Sequence, residues 1–192
     1  MAVSAPVQSF NPIALRIAPV RAAIALVWAA ALVLAVGDRV PTTASELPVA
    51  VALLLTAYPL IDAAASLVEA RSRAGGSARV LLLNAGLGAA AAVGLALATF
   101  TGDAGAALVV FGAWASLSGA VQLGVALRRR RDGGRQWPLI VSGGLSTVVG
   151  LSFVAAAGKH DAQLAMLAGY AAFGAVLYLV WTVRALSGGG RR

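Results

Sequence analysis

The chain contains no cysteine and a single histidine, His160. Disulfides, thiolate metal sites and cysteine nucleophiles are therefore excluded, and no histidine cluster can hold a metal ion. Charge is also scarce: 11% of residues are charged and 60% are hydrophobic, far from soluble usage. A soluble fold of 192 residues could not cover so much apolar surface, whereas lipid can. The net charge of +8 would point to nucleic acid in a soluble protein. Here the basic residues stand in short segments between apolar runs, where membrane topology accounts for them, so no nucleic acid partner is expected.

Signals for chemistry are equally thin. No Gly-rich phosphate loop ends in Lys, and no clustered aspartates offer a magnesium site. Ser142-Gly143-Gly144 invites comparison with an intramembrane serine protease, but such an enzyme needs a histidine inside the membrane. His160 falls in a turn instead. The expectation is a non-enzymatic protein with no catalytic residue, metal or cofactor.

What is present is a series of long apolar runs, about the length an α-helix needs to cross a bilayer. Residues 111–151 show the pattern best: two runs rich in Gly, Ala and Ser flank a short basic hinge, Arg128 to Arg131 followed by Asp132, Gly133, Gly134 and Arg135. The whole chain reads as an all-α polytopic membrane domain. Its six spans are expected at about 18–37, 47–68, 80–100, 106–127, 137–158 and 162–183, with mobile tails at 1–15 and 187–192. Ala35-Val36-Gly37 offers a signal-peptide cleavage pattern, but the long preceding region and the pairing of later spans favour a retained first helix. Alternate connections differ sharply in charge. The N-terminal flank, the second and fourth loops and the C-terminal end hold 13 Lys and Arg, whereas the other loops hold only Arg39 and Lys159. Short loops follow the positive-inside rule, so both termini are expected in the cytoplasm of a bacterial inner membrane.

Sliding the chain against itself by 56 residues aligns Tyr58 with Trp114 and Tyr170, Leu67 with Leu123, Arg73 with Arg129, Arg79 with Arg135 and Gly88 with Gly144. Val93-Gly94-Leu95 falls on Val149-Gly150-Leu151, and Arg21 starts a first copy. Three parallel helical-hairpin repeats are implied. Small residues recur four apart at Ser142, Ser146 and Gly150, at Gly86, Ala90, Gly94 and Ala98, and at Ala120 and Gly124. Such stripes allow close helix packing within the bundle, or a homo-oligomer or membrane-partner seam.

Polar residues within the spans are few. An ionised Asp there costs on the order of 2.5–3.5 kcal/mol on insertion scales, which makes Asp62 the leading site candidate. At 1.5 Å per residue, Asp62 and Asn84 lie at about the same depth on consecutive helices. Ser118 is the repeat counterpart of Asp62, and Gln122 lies one turn beyond it. A polar layer of Asp62, Asn84, Ser118 and Gln122 is expected, with Asp62 hydrogen-bonded to Asn84. An amide at position 62 should then preserve the fold. Arg128, Arg129, Arg130, Arg131 and Arg135 are candidates for anionic lipid headgroups, besides their topological role.

The residues Trp114, Gly119, Ala126-Leu127-Arg128, Arg135, Trp137, Gly144 and Gly150 resemble the pattern of the HdeD-like acid-resistance membrane protein family. Its members are built from a short hairpin repeat of unknown function. The resemblance implies a six-helix inner-membrane protein associated with survival in acid or envelope stress, and it supplies no catalytic residues. Set beside it is a small transporter or proton pathway using Asp62. The charge split yields a direct expectation of topology. Single cysteines at Ser187, Gly133 and Gly102 should label asymmetrically in intact cells, with only the one at Gly102 reached by an impermeant reagent.

Overall fold

A computed structural model describes residues 12–40, 42–101, 103–131, 137–161 and 164–189. It contains six helices: α1 (Pro12–Val36), α2 (Val49–Ala70), α3 (Gly75–Thr101), α4 (Ala104–Arg131), α5 (Trp137–Ala156) and α6 (Ala165–Gly189). Five of them are long and apolar enough to cross a membrane, and α6 adds the apolar stretch Ala165–Leu177. Large apolar side chains point outward along their length, with Phe100 at 89% and Leu34 at 80% exposure. In water such a surface would aggregate; a multi-pass membrane protein is what it suggests.

Several boundaries differ from expectation. Residues 12–15, expected in a tail, open α1, and 187–189 close α6. The four arginines Arg128–Arg131, expected in a hinge, form the last turn of α4. Arginine is a good helix former, and cations suit the negative end of the helix dipole. Asp132 to Arg135, the rest of that hinge, lie outside the described residues.

Successive helices are antiparallel, and the packing closes into a ring in which α1 also lies against α6. Lipid gives helices no hydrophobic reason to associate, so close backbone approach at small residues has to hold them. Three pairs do this. Gly88 of α3 lies so near α2 that a Cβ there would stand 2.7 Å from the Pro59 carbonyl and 3.1 Å from the Ala63 Cβ. On α4 and α5, Gly119 meets Gly143 and Gly112 meets Gly150 with no room for any side chain. On α6 and α1, Ala175 is buried with Ala22 and Ala25.

Burial repeats with the sequence. Leu55, Ala63 and Ala70 of α2 are buried, as are Phe111, Gly119 and Ala126 of α4, each 56 positions on. Leu167, Ala175 and Thr182 of α6 continue the series. On the other helices of each pair the step is not 56. Gly88, Leu95 and Ala98 are buried in α3, and their buried counterparts in α5 are Gly143, Gly150 and Phe153, each 55 positions on. The expected partner of Gly88, Gly144, has open space around it, and Leu151, aligned by identity with the buried Leu95, is 58% exposed. The interval from Gly119 of α4 to Gly143 of α5 is one position shorter than that from Ala63 of α2 to Gly88 of α3, which shifts the register. Gly86 and Ala90 of their stripe also face outward, as do Ala120 and Gly124, whereas Gly94 packs against Val110 and Ala98 is buried.

The centre of the ring is filled by aromatic rings. Phe111, fully buried, lies with its centroid 5.3 Å from Trp114, 6.1 Å from Trp28, 6.2 Å from Tyr58, 6.3 Å from Phe153 and 6.4 Å from Tyr170. Trp28 stacks on Tyr58 at 4.3 Å and donates from Nε1 to the Leu54 carbonyl at 2.7 Å. Such ring pairs add about 0.5–1.5 kcal/mol each beyond their area.

Beyond the aromatics, the α1–α2 loop ties the other two turns together. Thr43 donates from its backbone N to the His160 carbonyl at 3.0 Å and from Oγ1 to the Lys159 carbonyl at 2.6 Å. Ala104 N donates to Ser45 O at 3.2 Å and Gly105 N to Thr43 O at 2.8 Å. Asp103 caps α4, accepting from Gly105 N at 2.6 Å and Ala106 N at 3.2 Å. Position 105 must be glycine for the three loops to meet: a Cβ there would lie within 3.4 Å of Asp103, Ala157 and Thr43. This end of the ring is clasped shut.

The register gives a sharp test. Gly143→Ala should destabilise by about 1–3 kcal/mol through overpacking, while Gly144→Ala should be neutral or stabilise by up to about 1 kcal/mol. Thermal melts of the two purified variants measure the difference; equal midpoints would return the register to 56.

Candidate functional site

At the opposite, arginine-rich end the ring opens into a cavity of about 290 Å³. All six helices contribute to its wall, and Tyr58, Trp114 and Tyr170 of the aromatic cluster lie along it. The structure brings Asp62, Asn84, Ser118 and Gln122 together on this wall. Asn84 donates from Nδ2 to Asp62 Oδ2 at 2.7 Å and to Ser66 Oγ at 3.0 Å. Gln122 donates from Nε2 to the Leu139 carbonyl at 3.4 Å, a weak bond. Ser118 Oγ is buried and meets no hydrogen-bond partner among the described residues.

Arg21 is the residue that sequence reasoning missed. Its guanidinium forms an ion pair with Asp62 Oδ1, and the two side chains are only 17% and 21% exposed. Sequence analysis counts Arg21 among the topogenic charges of the N-terminal flank; the structure places it inside α1, facing the cavity. The physical reason is that an acid already within a span offers the arginine a partner better than the headgroup region does. Both oxygens of Asp62 are thus engaged, one by a cation and one by an amide.

The repeat explains why these residues meet. Ala22, Ala25, Ala29 and Leu32 are buried in α1, and Ala85, Gly88, Ala92 and Leu95 are buried in α3, each 63 positions on. By the same step Arg21 corresponds to Asn84. Helices α1 and α3 flank α2 on its two sides, so equivalent positions on both neighbours converge on one carboxylate. The α5 counterpart of Asn84 is Leu139, and the α4 and α6 counterparts of Asp62 are Ser118 and Gly174. Of Asp62, Ser118 and Gly174 only Asp62 is charged. Burial phase, not residue identity, carries the signal that would have found Arg21.

Nearer the mouth, Arg73 pairs with Glu69 at 2.8 Å, and Ser72 Oγ donates to the Glu69 carbonyl at 2.7 Å. The four charged side chains of the cavity, Arg21, Asp62, Glu69 and Arg73, therefore balance. Arg128 and Arg130 are exposed at the end of α4. The side chains of Arg129 and Arg131, and all of Arg135, lie outside the described residues. His160 is exposed at the clasped end beside Asp161, 3.7 Å away, and among the described residues no three His, Cys, Asp or Glu side chains converge on a possible metal site.

Residues 88–155 match the family model described as "Short repeat of unknown function (DUF308)". The matched segment runs from the close-approach glycine of α3, through α4, almost to the end of α5. No curated protein and no solved structure matches.

The ion pair changes what substitution at position 62 should do. Asp62→Asn keeps a polar partner for Asn84 but leaves the Arg21 cation uncompensated. A loss of about 1–3 kcal/mol is expected, in place of the preserved fold anticipated from Asn84 alone. Restoration of the melting midpoint by the double variant Arg21→Leu/Asp62→Asn would establish the coupling; additive losses would deny it.

Proposed function

We propose that this chain is a non-enzymatic multi-pass protein of the bacterial inner membrane, with both termini and the arginine-rich end in the cytoplasm. It is built as three parallel hairpin repeats, α2–α3, α4–α5 and α6–α1, around a blind polar cavity. The cavity binds a small molecule or headgroup from within or beside the membrane, and this binding supports acid or envelope stress tolerance. The observation that carries the reading is one-sidedness: a polar wall with balanced ion pairs at one end, and aromatic rings with clasped loops at the other. The basic residues of the loops support the orientation even with Arg21 removed from them. The stress role rests on the HdeD-like resemblance and on the matched repeat, which is associated with HdeD-like membrane proteins.

A transporter or proton pathway using Asp62 is the second reading, favoured by the place of Asp62 on the cavity wall. Against it stand the engagement of both Asp62 oxygens and the apolar half of the ring beyond Phe111. Proton and ion flux into liposomes containing the purified protein separates the two. At neutral and acid pH the protein should give no flux above protein-free liposomes; flux that disappears in Asp62→Ala would establish the transporter instead.

A further inference from the structure

The cavity is small and unevenly walled. Pockets that enclose a whole drug-sized ligand run about 300–1,000 Å³, so 290 Å³ takes a compact head and little more. Three buried polar atoms on its wall, Arg73 Nε, Trp114 Nε1 and Ser118 Oγ, have no hydrogen-bond partner among the described residues. Asp62 accepts from two groups already. Trp114, only 7% exposed, has an Nε1–H without a partner among the described residues, and Ser118 Oγ is likewise unpartnered. They are one helical turn apart on α4 and both line the cavity. An indole N–H can only donate, and a hydroxyl can donate as well as accept. A group held by both therefore presents oxygen acceptors. It does not need a charge, because the ionic groups of the wall cancel in pairs, and an unpaired charge would be costly here.

The ring also has a thin seam. Among the described residues, helices α5 and α6 touch less than any other neighbouring pair of the ring. Tyr170 Oη donates to Ser146 Oγ at 3.0 Å, and Phe153 and Tyr170 pack edge to face at 5.9 Å. One turn nearer the arginine-rich end the facing residues are Ser142 and Gly174, both on the cavity wall. A Cβ added at Gly174 would meet nothing within 4 Å. The outer flanks of this gap are the exposed apolar side chains Val141, Leu145, Phe173 and Val176, which face lipid. Ser142 lies about 7–8 Å along α5 from Trp137 at 1.5 Å per residue, near the border between headgroups and acyl chains.

We propose that the gap between α5 and α6 is a lateral portal, and that the cavity takes the uncharged, oxygen-bearing head of a membrane amphiphile, of the acylglycerol class. The head accepts hydrogen bonds from Trp114 and Ser118 while the acyl chain leaves past Gly174 into the bilayer. The proposal deepens the blind-cavity reading and rests on it for the closed end.

Native mass spectrometry of the full chain released from micelles containing monoolein tests it, with phosphatidylglycerol and free glycerol as competing probes. One monoolein should bind per protein. Gly174→Leu, which fills the gap, should weaken binding at least tenfold; Ser118→Ala should weaken it several-fold; and Gly144→Leu, a substitution into equally open space outside the cavity, should leave it unchanged. Should Gly174→Leu lose its helical circular dichroism, Trp114→Phe with Ser118→Ala decides, since it removes both donors while keeping the aromatic body. Unaltered monoolein binding in the portal or donor variants would overturn the proposal. So would a preference for phosphatidylglycerol, or for glycerol entering from the open end. Asp62-dependent ion flux together with monoolein binding would overturn the blind cavity and spare the site; absence of both flux and binding would overturn the site alone.

Discussion

Close approach of helix backbones at small residues is the constraint on which this structure depends. With lipid as apolar as leucine, association rests on dispersion, and dispersion falls away steeply once surfaces part. The chain meets this at three places: Gly88 against Pro59 and Ala63, Gly119 against Gly143, and Ala175 with Ala22 and Ala25. Many other large apolar side chains, such as Phe100 and Leu34, are directed outward, where lipid accommodates any shape. The rings of Phe111, Trp114, Trp28, Tyr58, Phe153 and Tyr170 fill the space that three such pairs leave between them.

That arrangement also governs where polarity is tolerated. Facing lipid, Asp62 would need water or a headgroup; facing the ring's interior, it is reached by α1 and α3 from both sides. Arg21 and Asn84 occupy equivalent positions and divide the two oxygens. Around Ser118 the corresponding α5 residue is Leu139, whose carbonyl accepts a single weak bond from Gln122. The place around Asp62 is ionic, whereas Ser118 and Gly174, at the corresponding steps of 56, carry no charge.

Depth along a helix is legible from a sequence, because rise per residue is constant; that is why Asp62 and Asn84 could be placed at one level. Helix phase is less so. Val93-Gly94-Leu95 and Val149-Gly150-Leu151 match letter for letter, yet Leu95 is buried and Leu151 is exposed, because the interval between the packing positions of α4 and α5 is one residue shorter than that of α2 and α3. An ungapped comparison cannot register that. Arg21 escaped for another reason. A cation beside an apolar run looks the same whether it ends a span or lies within one, and only the packing partner distinguishes them. The partly helical hinge shows the same limit, since Arg128–Arg131 suit both a loop and the end of a helix.

The pairing of α6 with α1 has a consequence for biogenesis. Two of the close pairs join helices adjacent in the chain and can form as soon as each is inserted. The third joins α1 to α6, so α1 must remain in the bilayer without its packing partner while more than a hundred residues are added, on the order of ten seconds at common elongation rates. Through that interval the contacts open to α1 are those with α2: the Trp28 bond to Leu54 and the ion pair of Arg21 with Asp62. A buried arginine that is awkward for lipid thus finds its counterion one helix later, long before its own helix finds its mate.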